Sequence, residues 1–208
     1  MKNGKIIIFS APSGSGKSTL IGHLLKRFPQ LEFSISATSR APRGSEVNGK
    51  EYYFLTNEEF KNKVAAGEFV EWEEVYAGTC YGTLRSELKR IWDKGHVIVF
   101  DVDVKGGVNL KKIFGDDALS IFIMPPSVEE LRRRLEKRGT DTPETIAKRV
   151  AKAEEEITYA PLFDKIVVND SLETAIADAT RITESFIAAC LKPLYSISAR
   201  STRFTADT

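Results

Sequence analysis

Long apolar runs, cysteine clusters and an excess of charge of either sign are all missing from this chain of 208 residues. Thirty Lys and Arg stand against 29 Asp and Glu, a formal net charge of +1, so no global field exists for gripping nucleic acid or an anionic membrane. Any anion site must be local. Two cysteines, Cys80 and Cys190, do not make a disulfide framework, and with two histidines in the chain neither sits in a metal-like cluster. Such cysteine usage fits a reducing compartment. The N-terminal apolar run, Ile6 to Phe9, is far short of a signal-peptide core, and no later run approaches a membrane span. The expectation is a cytoplasmic protein with neither a membrane nor a nucleic-acid partner. An apolar content of 42% is enough to fill the core of one compact unit of this length.

What is present is concentrated at the start. The stretch Ser10-Ala11-Pro12-Ser13-Gly14-Ser15-Gly16-Lys17-Ser18-Thr19 follows the apolar run directly, and Leu20, Ile21, Leu24 and Leu25 then begin a helical stripe. Strand, small-residue loop, Gly-Lys-Ser and helix in that order predict a phosphate-binding loop over Ala11 to Thr19. Phosphates at the helix N-terminus would meet unsatisfied N–H groups and the positive end of the macrodipole, with Lys17 on the β- and γ-phosphates and the Ser18 hydroxyl on Mg²⁺. Ala11 stands where the full G-x-x-x-x-G-K-[ST] pattern has its first glycine. Alanine is tolerated there if the backbone keeps φ negative.

Further along, His96 to Asp101, Ala118 to Ile123 and Lys165 to Asn169 read as buried parallel strands, each followed by a helical pattern. Ser127 with Glu130 has capping-box spacing, Thr142-Pro143-Glu144 starts another helix with Pro at its first position, and a helix runs from about Ser171. Alternation of this kind predicts a doubly wound α/β core over 1–35 and 95–200. Residues 36–94 look like an inserted mixed α/β lobe, with a helix capped by Asn57, a β-like Glu68 to Tyr76, a turn at Ala77-Gly78-Thr79 and a helix capped by Thr83. Residues 127–157 suggest a helical lid, and the polar tail 201–208 should fray. The last helix, near Phe186 to Leu194, could pack on the core or on another subunit, so a homo-oligomer stays open.

Candidate chemistry clusters at three further places. Asp101, closing an apolar strand, and Asp103 resemble a second nucleotide-site element whose carboxylate holds Mg²⁺ directly or through water. Arg134 and Arg138 share a helix face, and Arg149 lies on the next helix across the turn Gly139-Thr140-Asp141-Thr142, so three guanidiniums could converge on one anion. Arg132 and Arg133 fit a solvated charged face instead. In the lobe, Arg40 and Arg43 bracket Ala41-Pro42, and Tyr52 and Tyr81 lie in turn-like surroundings where a hydroxyl could meet a second phosphate. Glu71, flanked by apolar residues, needs donors if buried. A purine with a ring N–H beside an exocyclic amine supplies two, and that purine is guanine.

These motifs together resemble the guanylate kinase family over nearly the whole chain: SAPSGSGKST, SATSRAPRGSEVNGKEYYF from Ser36 to Phe54, GEFVEW from Gly67, YGT from Tyr81, VIVFDVDVKG from Val97, RRLEKRGTDT from Arg133 and VVND from Val167. Thr83 stands where many relatives have serine and keeps the hydroxyl. The resemblance implies a P-loop core that transfers the γ-phosphoryl of Mg·ATP to GMP. It further implies that Ser36, Glu71, Thr83 and Asp103 surround the guanine, that Arg40, Arg43, Tyr52 and Tyr81 hold the GMP phosphate, and that Asn169 lies near the adenine of ATP. A non-enzymatic scaffold gripping phosphorylated peptides would need Arg40, Arg43 and Tyr52 but not the Gly-Lys-Ser loop, the two carboxylates and the lid arginines together.

Overall fold

Because both faces of the run Ile6–Phe9 are apolar, it can only be an inner strand, and it forms the middle of a parallel sheet. The computed structural model describes residues 4–76, 78–139 and 141–191. The chain opens with β1 (Ile6–Ser10), α1 (Lys17–Arg27) and β2 (Leu31–Phe33). It crosses into β3 (Ala37–Thr38), β4 (Tyr53–Phe54), α2 (Asn57–Ala65), β5 (Phe69–Tyr76), β6 (Thr79–Leu84) and α3 (Arg85–Trp92). It returns through β7 (Val97–Asp101), α4 (Val104–Phe114), β8 (Ala118–Met124), α5 (Val128–Arg138), α6 (Pro143–Ile157), β9 (Lys165–Val168) and α7 (Leu172–Leu191).

The larger sheet has the order β2-β7-β1-β8-β9, and its pairings are all parallel. Alternate residues of β1 serve opposite layers. Ile7 and Phe9 pack with Leu20, Ile21 and Leu24 of α1 and with Ala175 and Ala179 of α7. Ile6 and Ile8 pack with Leu88 and Ile91 of α3 and Leu110 of α4. Helices on both faces make the core a doubly wound α/β sheet. Register places Phe9 opposite Asp101 on one side and Ile121 on the other, so the loop after β1 emerges level with the end of β7. That end of the sheet, where the strand order reverses, is where open α/β folds bind ligands. Ile187 of α7 is buried in the same layer as α1, so the described part of the last helix packs on its own core. Leu194, the tail 201–208, Ala77, Thr140 and the side chain of Cys190 lie outside what is described.

The second sheet, β4-β3-β6-β5, is mixed: β3 and β4 run parallel, and β6 is antiparallel to both β3 and β5. Phe60 of α2 stacks on Phe69 at 4.4 Å between ring centroids, and Ala37 and Leu84 close this small core. Three local expectations change here. Thr56, not Asn57, caps α2, through a reciprocal capping box with Glu59. Leu84, not Thr83, occupies the cap position of α3, because Thr83 is still in β6 and its hydroxyl is directed at Glu71. Tyr81 likewise sits mid-strand rather than in a turn. In the larger unit, Ser127 does cap α5, but the Glu130 carboxylate turns to arginines instead of back to the cap. Thr142 and Pro143 start α6 as their sequence predicts.

β5 and β6 approach so closely at Gly82 that a Cβ there would lie 2.7 Å from both the Glu71 carbonyl oxygen and Trp72 Cβ. Backbone cannot yield as a flexible side chain can, so Gly82→Ala is expected to destabilise the fold by about 1–3 kcal/mol, measured by urea unfolding. An unchanged midpoint would show that the strands separate freely.

Candidate active site

The loop between β1 and α1 is built around two glycines in the left-handed region, Gly14 at φ 93° and Gly16 at φ 87°. Gly16 occupies the cap position of α1 and leaves the first N–H groups of the helix without a side-chain cap. A Cβ on Gly16 would also fall 2.3 Å from Asn169 Nδ2. That nitrogen donates to the Ser15 carbonyl at 2.7 Å, so buried Asn169, just past β9, braces the loop from below. No non-glycine residue among those described has positive φ, which explains why Ala11 is accommodated. Pro12 accepts the Ser15 N–H at 3.1 Å, and Ser18 and Thr19 are exposed on the first turn of α1.

Lys17 reaches back across the sheet end. Its ammonium pairs with Asp101 at 2.5 Å and donates to the Val102 carbonyl at 3.1 Å. Asp103 caps α4 by accepting the Gly106 N–H at 2.8 Å, and its carbonyl accepts from Ser10 Oγ at 3.0 Å. Arg149, from α6, donates to Ser13 Oγ at 2.6 Å and to Asp141 at 3.2 Å. Ser15 Oγ and Arg149 Nε are buried polar atoms without a hydrogen-bond partner among the described residues, and both belong to this loop and its neighbour. Arg134 pairs with Glu130 at 2.8 Å and donates to the Asp170 carbonyl at 3.3 Å. Arg138 does not join them: it is exposed at the end of α5. Of the three guanidiniums expected to converge, Arg149 touches the loop, Arg134 is held at Asp170, next to the Asn169 that braces the loop, and Arg138 stays outside.

A second cationic corner lies in the mixed sheet. Arg40 makes a two-pronged pair with Glu46 at 2.7 and 2.8 Å, donates to the Tyr81 hydroxyl at 3.2 Å, and stacks 5.0 Å from the Tyr52 ring centroid. The Arg43 backbone N–H donates to the same Glu46, while its residue is exposed. Hydrogen bonds from Arg40 and from the Arg43 backbone hold the Glu46 carboxyl at about 2. Burial pushes the Tyr52 hydroxyl above its usual range, so it stays a donor.

Between the corners stands Glu71. It accepts the Thr83 hydroxyl at 2.8 Å, and burial pushes its carboxyl up, reinforced by repulsion from Asp103. Ser36 is half-buried, its carbonyl accepting the Tyr53 N–H at 2.9 Å. A cleft of about 240 Å³ opens alongside, bounded by Glu73 and Glu74 of β5, Asp103, and Lys152 and Glu156 of α6. Glu46, Asp141 and Glu156 are the acidic members that sequence reasoning missed. Glu156 is nearly buried, and that burial raises its carboxyl against the pull of Lys152. As the last of three consecutive glutamates, Glu154 to Glu156, it reads in sequence as part of a solvated charged face, with no signal of that burial.

Comparison with known proteins agrees with the resemblance. The guanylate kinase family model matches residues 3–186. The chain is 59% identical to the guanylate kinase of Porphyromonas gingivalis over 185 residues, covering 88% of this chain and 98% of that one. It is 56% identical to that of Bacteroides fragilis over 183 residues, 88% and 90% of the two chains. The crystal structure of guanylate kinase from Anaplasma phagocytophilum superposes with a TM-score of 0.68 at 34% identity, covering 92% of this chain and 89% of that one.

The raised Glu71 carboxyl has a consequence for stability. Above the ordinary value of 4.5 the folded chain binds more protons at this site than the unfolded chain, so Glu71 weakens the fold as pH rises through its raised folded value. Glu71→Gln is therefore expected to raise the melting temperature at pH 7, with the gain vanishing as pH falls towards 4.5. A lower melting temperature at pH 7 would mean that the ionised carboxylate is fully satisfied.

Proposed function

The chain belongs to the guanylate kinase family, kinases that phosphorylate GMP with ATP to give ADP and GDP, and from that premise we propose the roles of its residues. The supporting observation is the phosphate loop at the head of α1 set beside a cleft that Asp103 shares with β5, the strand carrying Glu71. The free backbone N–H groups of the loop Ala11 to Thr19, in which Pro12 has none and Ser15 donates to the Pro12 carbonyl, receive the ATP phosphates, and Lys17 exchanges Asp101 and Val102 for the β- and γ-oxygens. The adenine lies beside Asn169. Arg149, already oriented by Ser13, and Arg134 spread the charge of the migrating phosphoryl, and Arg138 joins them when residues 127–157 close as a lid.

The GMP phosphate displaces Glu46 from Arg40 and sits among Arg40, Arg43, Tyr52 and Tyr81, which aligns its oxygen for in-line attack. Guanine donates its ring N–H and exocyclic amine to Glu71, whose Oε1 is oriented by Thr83, with Ser36 and Asp103 at its edge. Adenine offers a bare acceptor at the ring nitrogen and would repel the carboxylate. Closure of the lobe, residues 36–94, on the core, 1–35 and 95–200, excludes water that would hydrolyse ATP.

Mg²⁺ fits this donor set, since it keeps most of its waters and takes one or two protein oxygens beside substrate phosphates. Exposed Ser18 and the half-buried Asp101, acting through water, would hold it, and no richer metal-ligand cluster exists among the described residues. When bound it supplies charge neutralisation on the β- and γ-phosphates. Among the described residues no helix is long and apolar enough to cross a membrane. The family's reaction, GMP to GDP, supports the proposed cytoplasmic role in purine nucleotide metabolism, and a chain of net charge +1 has no global field for a nucleic-acid partner.

Purified protein with Mg·ATP is expected to release ADP with GMP and not with AMP, dTMP, UMP or no acceptor. Silence with GMP would overturn the reading. Lys17→Ala should lower kcat by orders of magnitude while far-UV circular dichroism stays unchanged; unaltered turnover would remove Lys17 from the mechanism. Glu71→Gln should weaken kcat/KM for GMP by roughly 2–4 kcal/mol, and an unaffected value would place the guanine elsewhere.

A further inference from the structure

One buried carboxylate is not used in these roles. Glu87 on α3 is 1% exposed, yet its two oxygens take four donors. These are the Ile35 N–H at 2.9 Å, the Tyr53 hydroxyl at 2.9 Å, and Arg90 Nε and Nη2 at 2.9 and 2.8 Å. Burial opposes the charge, but Arg90, Ile35 and Tyr53 outweigh it and hold the carboxyl below its usual range. Arg90 continues to Glu32 on β2, which also takes Lys94 at 2.8 Å and His96 Nδ1 at 2.8 Å. Burial opposes charge there too, yet Lys94, Arg90 and His96 bring the Glu32 carboxyl down to about 2. One ionic chain thus runs from the edge of the parallel sheet to β4 in the mixed sheet.

Its placement matters more than its strength. A buried ion pair is weak evidence for stability, whereas a fully satisfied one fixes geometry. The two groups that Glu87 ties across the inter-sheet crossing are each next to a residue of the acceptor corner: Ile35 precedes Ser36, and Tyr53 follows Tyr52. The Tyr53 N–H donates to the Ser36 carbonyl at 2.9 Å, which closes a ring from Glu87 through Ile35, Ser36 and Tyr53 back to Glu87. On the far side of that ring, the Tyr52 ring carries the Arg40 guanidinium.

We propose that Glu87 is a positioning residue for the acceptor nucleotide, holding Ser36 and Tyr52 at a set separation, and Arg40 over Tyr52, before GMP binds. It rests on the assignment of this corner to GMP given above. Pre-organisation of this kind removes an ordering cost from binding, and the donor site at the phosphate loop shares none of these bonds.

The test varies GMP and ATP separately in steady-state assays of Tyr53→Phe and Glu87→Gln, with melting temperatures measured alongside. Tyr53→Phe removes one hydroxyl and leaves the ring in the small core with Ala37 and Phe60. It is expected to raise the GMP KM about five- to tenfold, the size of one lost hydrogen bond, with the ATP KM within about twofold of the parent. Glu87→Gln should act in the same direction and more strongly; if it does not fold, Tyr53→Phe decides alone. An unchanged GMP KM, or GMP and ATP KM values rising together in step with a falling melting temperature, would overturn the positioning role. A parent protein inactive with GMP would instead overturn the assignment of the corner, a result that is distinct because it precedes any variant.

Discussion

The double pairing of β1 is the constraint on which the molecule depends. All of Ile6–Ser10 is buried, with β7 hydrogen-bonded on one edge and β8 on the other and a helical layer against each face. No backbone group of this strand can turn to water, so its register is set, and with it the height at which Ser10 hands over to the phosphate loop. Asp101 and Asp103 then arrive beside the loop because β7 ends level with β1. Ser10 Oγ fastens the arrangement by donating to the Asp103 carbonyl, and there is no room for a side chain at Gly107, whose Cβ would lie 2.4 Å from that oxygen.

Around this frame four of the six cations assigned to phosphate binding are already partnered, each by an internal carboxylate, while Arg43 and Arg138 are exposed. Lys17 is held by Asp101, Arg40 by Glu46, Arg134 by Glu130 and Arg149 by Asp141. Such pairs keep long side chains oriented and limit self-repulsion, and their partial solvent exposure leaves each pair weak enough to exchange. A phosphate bearing more charge and several acceptor oxygens can then replace the carboxylate without a large rearrangement. Glu71 is the exception. It is half-buried without a cation, and that burial raises its proton affinity, as fits the proposed pairing with two N–H donors of a ligand.

Much of the core was legible in sequence because its signals are local. Ile6–Phe9, Val97–Phe100 and Ala118–Ile123 are apolar runs whose length and β-branched content already say buried strand, and Gly14 and Gly16 mark backbone that only glycine adopts readily. Short elements escaped for the converse reason. β3 and β4 are two residues each, and nothing in Ala37-Thr38 or Tyr53-Phe54 has a period to read. Tyr81 and Thr83 were expected in a turn and at a helix cap, and both lie in β6, because antiparallel pairing with β5 supersedes the local turn signal around Gly78 and Gly82.

By itself the sequence determined the order of the longer core strands and helices, the phosphate loop, the family, and the residue types available for two anion sites and one purine. Periodicity, glycine placement and motif spacing are properties of neighbouring residues, and they survive without a fold. Only the tertiary structure decided which of those residues meet: that Asn169, 154 positions away, braces Ser15, that Arg149 reaches Ser13 while Arg138 does not, and that Glu87 joins Ile35 to Tyr53. Such contacts join residues far apart in the chain. Each depends on helix packing and strand register summed over the whole core, which no local pattern encodes.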